Sequence, residues 1–243
     1  MGLEIMQRNL ICVKWGSTYG PEYVINLYNG VKRYQDKNFA IHVFTDDDRY
    51  LPRGKNWIFH KLPNWNLTAN KSWWYKMEIF NQWHGLVGRN LYVDLDVIVT
   101  GDMTTMWNHG DDKFVICQDF NRVFAHNISL VNSSVMAWSN SNLDWLYQKF
   151  INDRLLNTNR LRGDQDYIYE QIKDYVRWPR EWAMSYRWEI WRGGHKDKRT
   201  NLYHLDESRS LIPPDCKLVV FHGRPKPHEI TEKILADKWK NQL

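Results

Sequence analysis

Between Asn9 and Val99 short apolar runs return four times, separated by loops and amphipathic stretches, and this alternation restricts the fold more than any other feature. Asn9 to Lys14 has strand character and leads into the loop Gly16-Ser17-Thr18-Tyr19-Gly20-Pro21. Proline suits a first helical turn, and Val24, Leu27, Tyr28 and Val31 carry a helical stripe through Tyr34. Phe39 to Phe44 and Trp57 to Leu62 read as strands, and Asn70 to Trp83 as a helix with Trp73, Met77 and Phe80 on one side. The strand-like run Leu91 to Val99 comes next. Strand, helix, strand in repetition predicts an α/β fold with a mostly parallel central sheet flanked by helices. Ligands of such sheets gather beyond the carboxyl ends of the strands. Asp46, Asp47, Asp94 and Asp96 all stand at such ends.

The run Leu91-Tyr92-Val93-Asp94-Leu95-Asp96-Val97-Ile98-Val99 places two acids two residues apart, which starts them on one face of a strand. Carboxylates there repel each other and lose hydration unless a cation joins them. Hard oxygen ligands suit Mg²⁺ or Mn²⁺, which keep coordination positions open for phosphates. The structural alternative is a pair that caps the strand end and accepts loop amides.

The second half is less regular. Lys113 to Gln118 and Ser129 to Trp138 read as strands, Leu143 to Ile151 as a helix, and residues 157–163 as a polar loop. A helix is expected from Asp164 to about Tyr175, a last strand over Leu218 to Phe221, and a closing helix from Ile230 to Trp239. Arg192 to Arg199, with two glycines and four cations against one acid, reads as a mobile loop. No repeat or linker interrupts the chain, so one domain over residues 1–243 is expected.

The 14 Trp and 13 Tyr argue for a packed globule and against disorder. Cys12, Cys117 and Cys216 lie far apart; the first two sit in apolar runs as core thiols, which suits a reducing compartment and leaves no zinc spacing. No apolar run approaches the roughly 18 residues of a membrane span, and Met1 to Arg8 lacks the apolar region of a signal peptide. A cytoplasmic protein with no stable membrane insertion is expected. The net charge of +5 favours phosphate-bearing partners.

Four other segments carry candidate chemistry. In Val219-Val220-Phe221-His222-Gly223-Arg224-Pro225-Lys226-Pro227 a strand ends at a glycine that permits close backbone approach, and Lys226 sits on a stiff turn. That suits a diphosphate clamp, with His222 as a candidate metal ligand; the plain alternative is a rigid turn with a surface lysine and a hydrogen-bonded histidine. Arg162-Gly163-Asp164-Gln165-Asp166 opens a helix, where an aspartate is favoured as a cap, while a glutamine between two acids also fits sugar hydroxyls. Asn132-Ser133-Ser134 puts polar groups inside an apolar strand, to bond backbone or to face a ligand. Lys76 is a lone cation on an apolar helix, extending to solvent or meeting a phosphate.

Tyr92-Val93-Asp94-Leu95-Asp96-Val97 resembles the DxD signature of GT-A-fold glycosyltransferases that use nucleotide-diphosphate sugars. Asn132 to Met136, Asp164-Gln165-Asp166 and Gly223 to Pro227 are similar to the Asn-small-Gly-Val-Met strand, the Asp-Gln-Asp segment and the Gly-x-x-Lys-Pro turn of the glycogenin-like and bacterial galactosyltransferase-like retaining family. Val13-Lys14-Trp15-Gly16 and Trp73 to Met77 look like an uncharacterised bacterial and viral branch of these enzymes. The four motifs keep the family's order and spacing across residues 10 to 228.

The resemblance implies a GT-A domain with a nucleotide-binding half over about residues 1–100 and an acceptor-side half over about 101–243. It implies Mn²⁺ or Mg²⁺ on Asp94 and Asp96. The donor, with a UDP-sugar favoured, would lie against Lys14, Trp15, Gly16, Asp46 or Asp47, Lys76, Asn132, Ser133, Gly223 and Lys226. Asp164, Gln165 and Asp166 fall at the reacting sugar. The family's metal-binding His stands three residues before the glycine, where this chain has Val220; His222, two further along a strand, is expected to substitute. Hexose transfer to a hydroxyl with retention follows, or inversion with Asp164 or Asp166 as base.

Two other functions fit parts of the pattern. Strand-Asp-x-Asp also opens haloacid-dehalogenase-type phosphatases, with the first acid as nucleophile, though there it ends the first strand and a Thr follows. A non-catalytic nucleotide-sugar binder would keep the same residues. The acceptor is a glycan or another hydroxyl, or a hydroxymethylated base in DNA, for which the positive charge and the many aromatics are suited.

Overall fold

The computed structural model describes residues 7–35, 38–123, 130–140, 142–191, 195–196, 198–199, 203–204 and 212–240. In chain order the strands and helices are β1 (Arg8–Lys14), α1 (Pro21–Arg33), β2 (Ala40–Thr45), β3 (Trp57–Lys61), β4 (Arg89–Val93), β5 (Val97–Val99), α2 (Thr104–Asn108), β6 (Phe114–Gln118) and β7 (Val131–Ser139). They continue with α3 (Asp144–Asn152), α4 (Arg154–Arg160), α5 (Asp164–Gln171), β8 (Tyr175–Arg177), β9 (Ala183–Ser185), β10 (His195–Lys196), β11 (Tyr203–His204), β12 (Leu218–Val220) and α6 (Lys233–Lys240).

Seven strands form the main sheet in the order β3-β2-β1-β4-β7-β6-β8. Pairing is parallel from β3 through β4 and again between β6 and β8, and antiparallel where β7 joins β4 and β6. Alternation along β1 explains why the sheet is covered on both faces. Leu10 and Cys12 enter one core with Val24, Leu27 and Val31 of α1, whereas Ile11 enters a second core with Trp74, Met77 and Phe150. Buried strands of this kind read as continuous apolar runs. All three cysteines are buried and unpaired.

The strand order reverses beside β1: β2 and β3 extend one way and β4 lies on the other side. Such a reversal opens a crevice at the strands' carboxyl ends, and there the chain leaves β1 at Trp15 and β4 at Asp94. A second sheet, β5-β12-β9, stands against this edge.

The sequence expectation differs from the structure at several places, among them the helix expected from Asp164 to about Tyr175, which ends at Gln171 so that Tyr175 opens β8, and the closing helix, which starts at Lys233 and not Ile230. Leu91 to Val99 is two strands, because the chain leaves the main sheet after Val93 and enters the small sheet at Val97. Residues 69–80 wind as successive tight three-residue turns, followed by another at Gln82–His84. A single amphipathic face cannot bury Trp74 through Phe80 in succession, and this segment buries all seven. Residues 157–163 hold the end of α4, where Arg160 pairs with Glu170 at 2.7 Å and Asn157 and Thr158 are buried. Polarity hid that helix. The expected loop Arg192 to Arg199 falls largely outside the described residues. No described helix is long and apolar enough to cross a membrane.

Candidate active site

Asp94-Leu95-Asp96 is the crossing between the two sheets, and backbone bonds pin it on both sides. The Asp94 amide donates to the Ser134 carbonyl at 2.8 Å, while the Asp96 carbonyl accepts from the Phe221 amide at 2.9 Å. The two carboxylates therefore stand at a fixed seam, with β7 delivering Ser133 on one flank and β12 delivering His222 on the other.

Each carboxylate has one oxygen committed and one open. Tyr92 Oη donates to Asp94 Oδ1 at 2.5 Å, and Lys76 Nζ lies 3.2 Å from the same oxygen. Tyr19 Oη donates to Asp96 Oδ2 at 2.9 Å, and Lys226 Nζ lies 2.5 Å from it. Asp94 Oδ2 and Asp96 Oδ1 accept no hydrogen bond from the described residues. Burial pushes the Asp96 carboxyl above its usual range, with Lys226 opposing and Asp94 adding to the rise. Burial also holds both phenols protonated, as donors, well beyond neutral pH.

Lys76 meets neither solvent nor an external anion. Its buried ammonium bridges Asp94 and Asp164, at 3.2 and 3.1 Å, and donates to Ser133 Oγ at 3.0 Å. Burial pulls its pKa down, but the two acids outweigh it and leave the value raised. Asp164 accepts from Ser133 Oγ at 2.6 Å and is the first residue inside α5; Gly163 occupies the cap position, so Asp164 is no cap. Asn132 Nδ2 reaches Gln165 Oε1 at 3.4 Å, and Asp166 pairs with the exposed Arg162 at 3.2 Å.

Two cavities meet at the acids. One, of about 240 Å³, runs between Trp15, Thr18 and Tyr19 on the β1 side and Ala69, Ser72 and Trp73 opposite. The other, of about 410 Å³, is lined by Asn132, Ser133, Ser134, residues 162–166 and His222. Trp73, Lys76, Asp94 and Asp96 belong to both. Gly163 lets Trp73 close the junction, since a Cβ there would sit 3.1 Å from the indole nitrogen.

His222 faces the second cavity while Val220 is fully buried in the core. Its Nε2 lies 2.6 Å from Ser185 Oγ, and its ring stacks on Phe120 at 5.1 Å with Trp188 edge-on at 4.5 Å. Burial lowers its pKa to about 4, so the ring is neutral at neutral pH.

Among the described residues no three His, Cys, Asp or Glu side chains converge as a metal cluster. The two acids nevertheless fit a hard divalent cation that takes its other ligands from water and a diphosphate. Their open oxygens are hard donors, and two ammonium groups already show that this seam favours positive charge.

Other expected donor residues stand apart from this junction. Asp46 accepts from the Gly16 amide with both oxygens at 3.1 Å, and Lys14 Nζ reaches the Gly16 carbonyl at 3.4 Å. These contacts fix the loop after β1, which carries Trp15 and Tyr19 into the first cavity. Asp47 pairs with Arg49 at 2.7 Å on the surface, and that bond holds its carboxyl well below the usual range. Gly223, at φ +75°, turns the chain so that Lys226 returns to Asp96. Sequence reasoning missed Tyr19, Trp73 and Ser185 as site residues. Tyr19 had the one usable signal, an aromatic in the loop beyond the first strand's carboxyl end.

No family model matches the chain, and no curated protein matches it in sequence. Solved structures do. The glycosyltransferase GlyE of Streptococcus pneumoniae superposes with a TM-score of 0.68 at 16% identity, covering 98% of this chain and 61% of that one. The galactosyltransferase LgtC, solved with donor and acceptor sugar analogues, superposes at 0.64 with 14% identity over 96% of this chain and 94% of its own. The protein has the GT-A fold. This chain thus spans about three fifths of GlyE but nearly all of LgtC. A haloacid-dehalogenase phosphatase presupposes a different fold, so the GT-A fold removes that alternative. In the GT-A frame the acids stand at the carboxyl end of β4, after three earlier strands, as a seam between sheets.

Proposed function

We propose that the protein is a glycosyltransferase that moves a hexose from a nucleotide-diphosphate sugar, with a UDP-sugar favoured, to a hydroxyl of a glycan or similar acceptor. The observation that carries this reading is the sharing of Trp73, Lys76, Asp94 and Asp96 by two cavities. One arm is walled by aromatics and suits a nucleoside; the other is lined by amide, hydroxyl and carboxylate groups and suits a sugar. A diphosphate joins these two parts of a nucleotide sugar, and the acids stand where the arms join.

Asp94 and Asp96 are the residues that would hold Mn²⁺ or Mg²⁺. When bound, the cation supplies Lewis-acid neutralisation of the leaving diphosphate. The chain's own residues do the rest. Lys226, on its turn after Gly223, adds positive charge where negative charge develops on the leaving group. Lys76 donates to Asp94 and Asp164, so both carboxylates keep their orientation. Trp15, stacked on Tyr75 at 5.5 Å, offers a flat face to the base. Asn132, Ser133, Asp164 and Gln165 present fixed hydrogen-bonding groups to sugar hydroxyls.

The reaction breaks the anomeric C–O bond to the diphosphate and forms one to the acceptor oxygen, whose proton must leave. Asp164 is engaged by both Lys76 and Ser133 and is poorly placed to accept it as a general base. Asp166 is paired with Arg162. Both engagements favour retention, with the leaving diphosphate taking the proton and Gln165 beside the reacting carbon. His222, neutral and lining the same cavity, completes the wall beside the acids and is the third candidate ligand for the cation.

A thermal-shift panel of nucleotide sugars with Mn²⁺ tests the reading. One UDP-sugar should raise Tm in the presence of Mn²⁺, the rise should vanish with chelator, and Asp94→Ala or Asp96→Ala should abolish it with the fold intact. A panel in which no nucleotide sugar shifts Tm removes the proposal.

A further inference from the structure

Arg187 stands out among the arginines of the site's neighbourhood. Arg162 pairs with Asp166, Arg180 with Glu189 and Arg224 with Glu229, whereas Arg187 makes no ion pair or hydrogen bond among the described residues. It is exposed, yet its backbone is held from every side. Tyr186 before it is fully buried and stacks on Phe221 at 4.4 Å. The Trp188 amide donates to Ser185 Oγ at 3.1 Å, and Glu189 binds Arg122 at 2.8 Å and the Ser185 amide at 2.8 Å. The root of this side chain is therefore fixed, and the volume its guanidinium can reach is set from there.

That volume lies over the glycine turn. An η nitrogen of Arg187 sits 3.8 Å from the point a Cβ on Gly223 would occupy, and nothing else in the described structure comes within 4 Å of it. The bare Cα of Gly223 therefore faces one group, an unpaired cation. From the same turn Lys226 reaches Asp96.

We propose that Arg187 is a diphosphate-binding residue: its guanidinium, over Gly223, and Lys226, three residues further on, together grip the donor's diphosphate at this turn. This rests on the nucleotide-sugar reading above and assigns a contact that no motif in the sequence suggests. A planar guanidinium matches a phosphate's paired oxygens, while lysine contributes a point charge. A glycine between them lets the phosphate approach the backbone. The arrangement divides the work: Lys226 serves the oxygens nearest the acids, and Arg187 the oxygens that approach Gly223.

Calorimetric titration of UDP with Mn²⁺ present, with GDP and ADP alongside, tests this without turnover. Arg187→Ala should weaken the tightest-binding nucleoside diphosphate by about 10–100-fold, the usual range for a charge-assisted phosphate contact. Binding of the corresponding monophosphate should weaken less, Arg187→Lys should restore part of the loss, and thermal unfolding of both variants should match the wild type. Wild-type affinity for the diphosphate in Arg187→Ala overturns the assignment and leaves the donor reading standing. Loss of acceptor use alone, with diphosphate affinity unchanged, overturns it equally. Failure of the wild type to bind any of the three diphosphates overturns both.

Discussion

The Nζ of Lys226 lies 2.5 Å from Asp96 Oδ2, a contact that joins groups 130 residues apart in the chain. It closes the small sheet's turn onto the crossing from the main sheet, so the acids and the candidate phosphate clamp form one unit. The Phe221 amide bond to the Asp96 carbonyl fixes the same relationship through the backbone.

Replacing Lys226 by Ala leaves a buried carboxylate opposed only by the Tyr19 hydroxyl. Breaking a largely buried pair in this way should cost about 1–3 kcal/mol at pH 7, read by urea unfolding. Burial already raises the Asp96 pKa above its unfolded value, so ionising it disfavours the fold as pH rises through the folded pKa. The deficit of the variant should therefore shrink on acidification, as protonation removes the unpaired charge. A deficit that grew on acidification would contradict this account of Asp96.

Lys76→Met strands two carboxylates at once. The expected loss is about 3–5 kcal/mol in the same unfolding measurement, with Lys76→Arg less damaging because charge remains. The raised pKa of Lys76 means that its stabilisation is complete below the ordinary lysine pKa of the unfolded chain and declines as pH rises through the folded value. Wild-type stability should fall steeply above that pH, and Lys76→Met should lack this step.

Tyr19→Phe removes one hydrogen bond to Asp96 and keeps the ring, which packs on Tyr23 at 4.8 Å. Stability should barely change. Mn²⁺ affinity in the presence of UDP should fall by about 2–10-fold, the value of a single hydrogen bond to the carboxylate. Titration of Mn²⁺ followed by electron paramagnetic resonance measures it.

A string of histidines on the far side of β2 sets the acid limit. His42 Nδ1 lies 2.8 Å from His60 Nε2, His60 Nδ1 lies 3.1 Å from His84 Nδ1, and His84 meets Glu78 at 2.9 Å. Burial, with the neighbouring rings, lowers His42 to about 4 and His60 to about 3. The unfolded chain therefore binds protons below pH 6.5 that the folded chain refuses, and stability falls between pH 6.5 and about 4. A loss of about 5–10 °C in Tm over that window is expected. His60→Phe, which keeps the stack on Phe44 seen at 4.4 Å, should flatten the slope.

Much of this arrangement could be read from residue patterns, for physical reasons. Strands buried on both faces are apolar throughout, so β1, β2 and β4 announced themselves, as did α1 by its proline and its stripe. The acids were visible because charge inside such a run is costly. The partners of Lys76 were not visible, since Asp164 comes from a helix 88 positions away and only the antiparallel placement of β7 brings Ser133 between them. The break between β4 and β5 was hidden for a related reason. A change of sheet needs no turn residue when both halves remain buried. Arg187 gave no signal because its role depends on the glycine turn it overlies, 36 positions later.

The central claim is that Asp94 and Asp96 bind a cation shared with the donor's diphosphate at the meeting of the two cavities. Anomalous diffraction from crystals grown with Mn²⁺ and a UDP-sugar tests it most directly. The account predicts one manganese peak within coordination distance of Asp94 Oδ2 and Asp96 Oδ1, with the diphosphate completing its sphere and Lys226 moved onto a phosphate oxygen. Donor density away from this seam, with Lys76 and Lys226 still the only cations on the two acids, would contradict it.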